Sequence, residues 1–357
     1  MKMDRIAAGT GLIALDVIIG AASKTPTKLA AGGTCGNVLT ILSYLGWSSY
    51  PVARLGRDSA SNALVADLAK WGVQETYLRV GPGAPAPIII EHIQKDAIGV
   101  GRHRFAFHCP ECGAWYPRYK PVKMASASDV TTSIPQPSVF FFDRVSRGAL
   151  VMAESFAEKG ALIVFEPSGN WDPRLMKEAL GLTHVLKYAN DRAADMQEWE
   201  PDRRPFLEVQ TCGADGLRYR AFLPHVKDHQ WKELAPYRPR VVADPAGSGD
   251  WCTAMIIDQL GSRGATSFKE TTQARLLLAL QAGQAAAAWN CGFEGPRGGM
   301  DGCPADQFKQ TIERIMAGTN PDITETTMVM PRSRVTVPHC PSCRKVYSRP
   351  LAKLSKR

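Results

Sequence analysis

The chain alternates short runs of hydrophobic residues with longer segments in which hydrophobic residues recur at helical spacing. The runs at 88–93, 139–143 and 161–166 predict strands, and the spacing at 59–71 and 149–159 predicts helices. Strands that alternate with helices favour a mostly parallel sheet, because each strand in the same direction needs a crossover connection. The sequence therefore predicts an α/β fold, with a doubly wound sheet and helices on both faces.

The same patterns predict the remaining elements. Further strands are expected at 6–19, 49–53, 73–80, 183–188 and 206–210. Further helices are expected at 38–45, 174–180, 191–199 and 273–289. The alternation is interrupted at 99–126, which we interpret as an insertion. We therefore predict one domain over 1–320 that contains this insertion, followed by a C-terminal extension over 321–357.

The composition is that of a globular protein, since 45% of the residues are hydrophobic and 22% are charged. No hydrophobic stretch approaches the roughly 20 residues that cross a bilayer, so no membrane partner is expected. The first residues alternate like a strand and include Asp4, Arg5 and Asp16, unlike the apolar core of a signal peptide. A cytoplasmic location is the simplest expectation.

The formal net charge of the chain is +9. Part of this charge lies in the tail at 344–357, which contains basic residues and no acidic one. A basic tail attracts nucleic acid or anionic surfaces, but a solvated chain end is the more ordinary interpretation. Nucleic acid is thus a partner that the sequence leaves open and does not favour.

The strongest chemical signal is the segment DPAGSGD at 244–250, which lies between a predicted strand and a predicted helix. Its glycines allow a tight turn and a close approach of the backbone to a ligand. The free N–H groups and the dipole at a helix start bind anions. Asp250 beside such a site suits the removal of a proton during phosphoryl transfer. An aspartate that caps the helix is an equally good interpretation of this motif alone.

The GSGD sequence resembles the GAGD signature of the ribokinase, or phosphofructokinase-B (PfkB), family of carbohydrate and nucleoside kinases. The resemblance implies that Asp250 is the catalytic base. It also implies that the main chain of the preceding residues forms the anion hole for the γ-phosphate. Those residues are Ala246, Gly247, Ser248 and Gly249, where Ser248 replaces the commoner alanine.

Further motifs extend the resemblance over roughly residues 5–300. The sequence GGTCGN at 32–37 is similar to the N-terminal signature of the family, and Asp16 matches the position of a sugar-binding aspartate. The segments 55–58 (LGRD) and 211–216 (TCGADG) resemble two further family motifs. Each short glycine motif is weak on its own. The implied acceptor-binding residues are Asp16, Gly33 and Asn37, and the implied nucleotide and magnesium side comprises Asn190, Thr211, Gly213 and Gly216.

The acceptor residues also have more ordinary interpretations. Asp16 alone suits an acid at a strand end, and Asn37 alone suits a helix cap. The resemblance favours binding roles for both. It further implies a small β lid over the acceptor, the use of ATP and Mg²⁺, transfer to a hydroxymethyl group of a sugar or nucleoside, and dimers formed through the lid.

One family motif is incomplete in this chain. The glutamate of N-x-x-E is absent, because Ala193 stands at that position after Asn190. Asp191 and Glu166 are the candidates to compensate for it. The loss leaves an alternative function open, in which a catalytically weak binding or regulatory protein contacts nucleic acid or a protein partner.

Four of the nine cysteines form two Cys-x-x-Cys pairs, Cys109 with Cys112 and Cys340 with Cys343. Each pair can place two thiolates on one tight turn, and two such turns complete a tetrahedral Cys₄ zinc site. The pairs are far apart in sequence, so they must meet through the fold. A pair of redox dithiols is the alternative. We predict one structural Zn²⁺ that holds the extension against the insertion, without a catalytic role because a closed Cys₄ site has no open position.

Overall fold

The computed structural model of the 357-residue chain describes residues 5–22, 27–197, 204–319, 340 and 342–343. Within these ranges the strands form two sheets. The larger sheet contains, in spatial order, β12 (Lys232–Leu234), β11 (Leu217–Ala221), β10 (Leu207–Thr211), β9 (Val185–Ala189), β8 (Leu162–Phe165), β7 (Val139–Phe142), β1 (Ile6–Thr10) and β4 (Ser48–Val52). The smaller sheet contains β3 (Lys28–Gly32), β2 (Ala14–Ile19), β5 (Ile88–Lys95) and β6 (Gly101–Ala106).

Helices connect most of these strands. They are α1 (Thr34–Tyr44), α2 (Ser59–Lys70), α3 (Met124–Ser133), α4 (Arg147–Glu158), α5 (Pro173–Leu182), α6 (Ala193–Gln197), α7 (Ser248–Leu260), α8 (Gly264–Lys269), α9 (Gln273–Asn290) and α10 (Ala305–Met316). Among the described residues no helix is both long and apolar enough to cross a membrane.

The larger sheet is mostly parallel. Strand β1 pairs in parallel with β4 and β7, and the parallel pairing continues through β8 and β9 to β10. Within the described part of this sheet, the antiparallel pairs are β10 with β11 and β11 with β12. The predicted fold class is therefore confirmed. The carboxyl ends of the parallel strands share one edge, where open α/β sheets bind their ligands.

Two hydrophobic cores cover the two faces of the larger sheet. Alternate residues of β7 enter different cores, so that Val139 and Phe141 lie in one core and Phe140 and Phe142 in the other. This period of two explains why the strand is an uninterrupted hydrophobic run, since both of its faces are buried.

An aromatic cluster supports the start of α7. The ring centroids of Trp251 and Trp289 are 5.1 Å apart, and those of Trp251 and Phe308 are 4.9 Å apart. The edge of Tyr44 from α1 also contacts Trp251. Trp251 is completely buried. The position of Asp250, one residue before it, is therefore fixed by packing between α1, α7, α9 and α10.

The smaller sheet, which we name the lid sheet, contacts the segment that leads to residues 244–250. The Gly101 N–H group at the start of β6 donates to the carbonyl oxygen of Val242 at 2.8 Å. A Cβ atom at Gly101 would lie 1.8 Å from the carbonyl oxygen of Ala243, so only glycine allows this approach. The predicted small β sheet is present, and the strand predicted at 6–19 is divided between the two sheets as β1 and β2.

Three local predictions were wrong or shifted. Residues 73–80 form turns with one isolated bridge from Arg79 rather than a strand. Gly72 on one side and the Gly/Pro-rich residues 81–87 on the other interrupt regular pairing. Helix α1 begins at Thr34, so Asn37 lies buried inside its first turn and does not cap it. The helix predicted at 191–199 is a 3₁₀ turn at Asn190–Arg192 followed by α6, and residues 198–199 lie outside the described residues.

The described part of the predicted extension comprises Cys340, Ser342 and Cys343. The rest of the extension, including the basic tail at 344–357, lies outside the described residues. The predicted domain boundary near residue 320 therefore stays a prediction.

Candidate functional site

The loop before α7 has the backbone of an anion site. Gly247 has a φ of 73° and is the N-cap of α7. A Cβ atom at this position would lie 2.4 Å from the carbonyl oxygen of Pro296, so glycine is required. The N–H groups of Gly249 and Asp250 belong to the first helical turn, where N–H groups have no partner within the helix.

Polar groups of Ala246 and Ser248 form hydrogen bonds within the loop before α7. The Ala246 N–H group donates to Asp244 Oδ1 at 3.0 Å. The Ser248 hydroxyl donates to the carbonyl oxygen of Pro245 at 2.8 Å. The Ser248 N–H group also donates to the carbonyl oxygen of Pro245, at 3.3 Å. Ala246 and Ser248 therefore hold the loop in shape, and their predicted role in an anion hole stays a prediction.

Asp250 lies in the first turn of α7 with 9% of its surface exposed. Asn37 Nδ2 donates to Asp250 Oδ2 at 2.7 Å, although the two residues are 213 positions apart. The alternative in which Asp250 caps the helix is wrong, because the cap is Gly247. Burial, aided by the nearby Glu166 carboxylate, raises the pKa of Asp250 to about 8.

Arg297 connects Asn37 to the lid sheet. Its Nε donates to Asn37 Oδ1 at 3.1 Å. Its Nη2 donates to Asp67 Oδ2 at 2.9 Å and to the carbonyl oxygen of Ala31 at the end of β3. The Arg297 residue is 6% exposed. A buried guanidinium therefore fixes the amide of Asn37, which in turn contacts Asp250.

Asp16 lies on β2 close to this arrangement. It is 4% exposed, and the backbone N–H group of Gly33 hydrogen-bonds its carboxylate. Burial raises the pKa of Asp16 to about 7, while the positive charge of Arg297 opposes the shift. Asp16, Gly33 and Asn37 are thus close to one another, because the Asn37 N–H group also donates to the carbonyl oxygen of Gly33 at 2.8 Å, and Asn37 is the one of the three that is shown to contact Asp250.

Asp16 and Arg297 each have a buried polar atom without a protein partner among the described residues. These atoms are Asp16 Oδ1 and Arg297 Nη1. Buried donors and acceptors are nearly always hydrogen-bonded in native proteins. An acceptor oxygen and a donor nitrogen left in one small region suit a polar ligand with several hydroxyl groups.

Glu166 and Lys187 form a buried ion pair on the other side of Gly249. Lys187 Nζ lies 2.7 Å from Glu166 Oε1, and Thr253 Oγ1 donates to Glu166 Oε2 at 2.7 Å. A Cβ atom at Gly249 would lie 3.5 Å from Lys187 Nζ. Burial alone would lower the pKa of Lys187, but the Glu166 carboxylate outweighs burial and raises it. An ammonium group that is paired with the Glu166 carboxylate therefore lies beside the helix start.

The residues predicted for the nucleotide side follow two neighbouring strands. Asn190 comes directly after β9, and its Oδ1 accepts from Gln210 Nε2 at 2.5 Å. Thr211 ends β10, and Gly213 begins the 3₁₀ turn at Gly213–Asp215, which Gly216 follows. Both strand ends lie at the same sheet edge as Glu166, which follows β8. Their roles toward a nucleotide stay predictions.

The four cysteines of the two Cys-x-x-Cys pairs meet in space. The Sγ atoms of Cys109 and Cys343 are 3.8 Å apart, as are those of Cys112 and Cys340, and all four ligand atoms lie within 4.8 Å of one another. Thiolates about 2.3 Å from a tetrahedral Zn²⁺ lie about 3.8 Å from each other. The sulfurs are too far apart for disulfides, which need about 2.05 Å. The cluster thus has the dimensions of a metal site.

Comparison with known proteins concerns the fold. No protein-family model matches the chain, and no curated protein matches it significantly. A nucleoside kinase of Burkholderia thailandensis, solved with inosine, aligns over 86% of this chain and 97% of its own at 17% identity and a TM-score of 0.60. The aminoimidazole riboside kinase of Salmonella enterica, solved with aminoimidazole riboside and an ATP analog, aligns over 87% of this chain and 100% of its own, at 17% identity and a TM-score of 0.62. Arabidopsis thaliana ribokinase, solved with ribose and ATP, aligns over 88% of this chain and 99% of its own, at 15% identity and a TM-score of 0.61. The chain has the ribokinase fold.

Two residues of this site were not predicted from the sequence. Arg297 lies within GPRGG at 295–299, and a basic residue between glycines was the available signal. Lys187 lies inside the hydrophobic strand β9, where a charged residue calls for a buried partner. Neither residue belongs to a short sequence motif used above.

Replacing Arg297 with Met should destabilise the fold strongly. The change would leave the carboxylates of Asp67 and Asp16 close together without their cation, and breaking a buried ion pair costs about 3–5 kcal/mol. Urea unfolding measures this loss.

Arg297→Lys keeps the charge but loses the forked geometry, so the stability of this variant should lie between those of Arg297→Met and the wild type. Arg314→Met, on the exposed face of α10, is the control and should change stability by less than about 0.5 kcal/mol. Equal stabilities for both Met variants would contradict the role given to Arg297.

Proposed function

We propose that this chain is an ATP-dependent kinase that transfers the γ-phosphate to a hydroxymethyl group of a sugar or nucleoside. One observation carries the proposal. The buried carboxylate of Asp250, in the first turn of α7, receives a 2.7 Å hydrogen bond from Asn37 Nδ2, and the amide oxygen of Asn37 accepts from Arg297 Nε at 3.1 Å. The proposed base and the proposed acceptor-binding residues are thus joined by one series of hydrogen bonds.

The proposed reaction assigns one task to each group. The acceptor hydroxyl gives its proton to Asp250, its oxygen forms a bond to the γ-phosphorus, and the bond from that phosphorus to the β-phosphate oxygen breaks to release ADP. The amides of Gly247, Gly249 and Asp250 hold the transferred group, and the charge of Lys187 favours it. Asp16 and Arg297 orient the acceptor. Most of the rate enhancement would come from this positioning and from electrostatics.

Mg²⁺, when bound, would neutralise the charge of the phosphates. Magnesium prefers carboxylate oxygens, water and substrate phosphates. Glu166, beside Gly249 in the cleft, supplies such oxygens, and Asn190 follows the next strand of the sheet. We therefore assign the task of the absent N-x-x-E glutamate to Glu166 in preference to Asp191, which is exposed.

The acceptor class rests on the polar atoms of the cleft and on the neighbours of known structure. The neighbours described above were solved with inosine, aminoimidazole riboside or ribose, all of which contain the ribose unit. The unpaired Asp16 Oδ1 would accept a hydrogen bond from a hydroxyl, and Arg297 Nη1 would donate one. A riboside or a free sugar satisfies both atoms.

The direct test is ADP release with a panel of sugars and nucleosides in the presence of ATP and Mg²⁺. We expect turnover with at least one member that carries a free hydroxymethyl group, and none with its deoxy analogue at that carbon. Product analysis by mass spectrometry should show one added phosphate. The proposal fails if no member of a broad panel raises ADP release above the acceptor-free rate.

We expect kcat/KM to rise with pH. The carboxylate of Asp250 accepts a proton only when ionised, and burial raises its pKa to about 8. Below that pH most of the free enzyme carries the protonated, inactive form, so activity should fall about tenfold for each lower pH unit. Initial rates at constant ionic strength and subsaturating acceptor measure the profile. A profile that stays flat below neutral pH would contradict the assignment of Asp250.

We also propose that the cluster of Cys109, Cys112, Cys340 and Cys343 holds one structural Zn²⁺. Its support is the tetrahedral spacing of the sulfurs and the burial of Cys109 and Cys340. The ion would attach the segment at 340–343 to the turn that follows the lid sheet. Zinc of this kind contributes to folding because the site forms only in the folded chain.

Two partner predictions are untested by the structure. Dimerisation through the lid sheet stays a prediction, and the exposed side chains of Ile98, Phe105 and Phe107 are those that such a contact would cover. Contact with nucleic acid also stays a prediction, because the basic tail lies outside the described residues.

A further inference from the structure

A second group of side chains suited to a cation lies between the lid sheet and the loop before α7. Glu91, His103 and Asp244 each place one ligand atom within 4.8 Å of the others. Glu91 on β5 pairs with Phe105 on β6, so His103 is its diagonal neighbour on the same face of the lid sheet. Asp244 lies two residues after Val242, whose carbonyl oxygen accepts the hydrogen bond from Gly101 at the start of β6. We name these three residues the Glu91 cluster.

Glu91 is the residue that requires an explanation. It has no exposed surface, and among the described residues neither of its carboxylate oxygens receives a hydrogen bond. The charged groups that act on it most strongly are other carboxyl groups, those of Asp244, Asp16 and Glu294. A buried carboxylate with acidic neighbours and no donor is strongly unfavourable unless a cation or a proton is present.

Asp244 presents a fixed negative charge to Glu91. Its Oδ1 accepts from the Ala246 N–H group at 3.0 Å and lies 2.9 Å from His103 Nδ1, and its Oδ2 accepts from the Gly295 N–H group at 2.9 Å. Backbone donors on both oxygens favour the ionised carboxylate. The imidazole of His103 offers a nitrogen ligand at Nδ1 when its other nitrogen carries the proton.

We propose that the Glu91 cluster binds one divalent transition-metal ion of the Mn²⁺ or Zn²⁺ type. Two carboxylates and one imidazole suit these ions, whereas the thiolates of the Cys₄ cluster favour zinc alone over manganese. The ion would neutralise the two buried carboxylates. It would also join β5 and β6 of the lid sheet to the loop before α7. Asp244, the ligand from that loop, lies two residues before Ala246.

Manganese titration of the full chain tests the proposal. Mn²⁺ is added to nucleotide-free protein that retains its thiolate-bound zinc, and free Mn²⁺ is followed by electron paramagnetic resonance. We expect one tightly bound Mn²⁺ per wild-type chain, and affinity at least about tenfold weaker in Glu91→Gln and in His103→Asn. His92→Asn, at the neighbouring histidine of β5, and Asp96→Asn, in the turn between β5 and β6, are matched controls that should keep the wild-type affinity.

A measurement on the wild type alone tests the proposal even if the variants fold poorly. The bound Mn²⁺ should show nitrogen coupling from one imidazole in pulsed resonance experiments. Absence of tight Mn²⁺ binding, or a bound ion without nitrogen coupling, overturns the proposal. An infrared band of a protonated carboxyl group that disappears in Glu91→Gln would also overturn it, because Glu91 and Asp244 would then share a proton instead of a metal ion.

Discussion

Replacing Asp250 with Asn is expected to lower kcat by about 10²- to 10⁴-fold while leaving acceptor binding nearly unchanged. Asparagine has the same shape, and its Oδ1 can still accept the hydrogen bond from Asn37 Nδ2 that Asp250 Oδ2 accepts at 2.7 Å. What is lost is the ability to take a proton from the acceptor hydroxyl. The rate of ADP release, together with acceptor binding measured calorimetrically, separates the chemical step from binding.

Asp258→Asn is the matched control on the same helix. Asp258 lies two turns after Asp250 on α7, where its Oδ1 accepts from Arg5 Nη1 at 2.6 Å and from Trp47 Nε1 at 2.9 Å. We expect this change to cost about 1–3 kcal/mol of stability and to leave kcat within about twofold. If the Asp250 variant turned over as fast as the wild type, another group would have to be the base and the proposed chemistry would be wrong.

The double change Cys340→Ser and Cys343→Ser should release one zinc per chain. Two serines leave Cys109 and Cys112 with half of a tetrahedral ligand set, and a structural Cys₄ site is worth on the order of 10 kcal/mol of apparent binding free energy. We expect the melting temperature to fall by more than about 5 °C. Hydrogen exchange should show faster opening of the turn around Cys109. Metal content is measured by elemental analysis of the purified chain.

Cys212→Ser supplies the comparison for this experiment. Cys212 is half-buried and lies outside the cluster, so its replacement should leave the zinc content and the melting temperature as they are. Zinc content that is equal in the double variant and the wild type would show that the four thiols are not the ligands. Reversible loss of thiols on mild oxidation, without zinc in the reduced chain, would favour redox dithiols instead.

The sheet and its helices could be predicted because burial on both faces leaves a clear trace in the sequence. The hydrophobic run of β7 feeds two cores at once, and the amphipathic spacing of α4 buries one face. The strand predicted at 73–80 failed because its hydrophobic residues pack singly under turns. The spacing of hydrophobic residues indicates which side chains are buried. Buried side chains in a turn can therefore produce the same sequence pattern as those in a short strand.

The candidate site was predictable where it depends on local backbone shape. The loop before α7 needs glycine at 247 whatever the rest of the chain does, so the motif appears in the sequence. Arg297 and the Glu91 cluster depend instead on which elements meet. Nothing near Glu91 in the sequence shows that Asp244 lies beside it. The meeting of the two cysteine pairs at the inserted segment could be predicted, because one ion requires four ligands and the first pair lies within 99–126.

The buried indole of Trp251 gives this protein an optical signal of its own. Its Nε1 donates to the carbonyl oxygen of Pro296 at 3.1 Å, and Arg297 is the next residue along the chain. We expect a ligand that displaces Arg297 to alter the hydrogen bond of that indole, whose emission depends on its surroundings. We therefore expect ligand binding near Arg297 to change the intrinsic fluorescence, to which Trp251 contributes as one of eight tryptophans, with no label attached and no turnover needed.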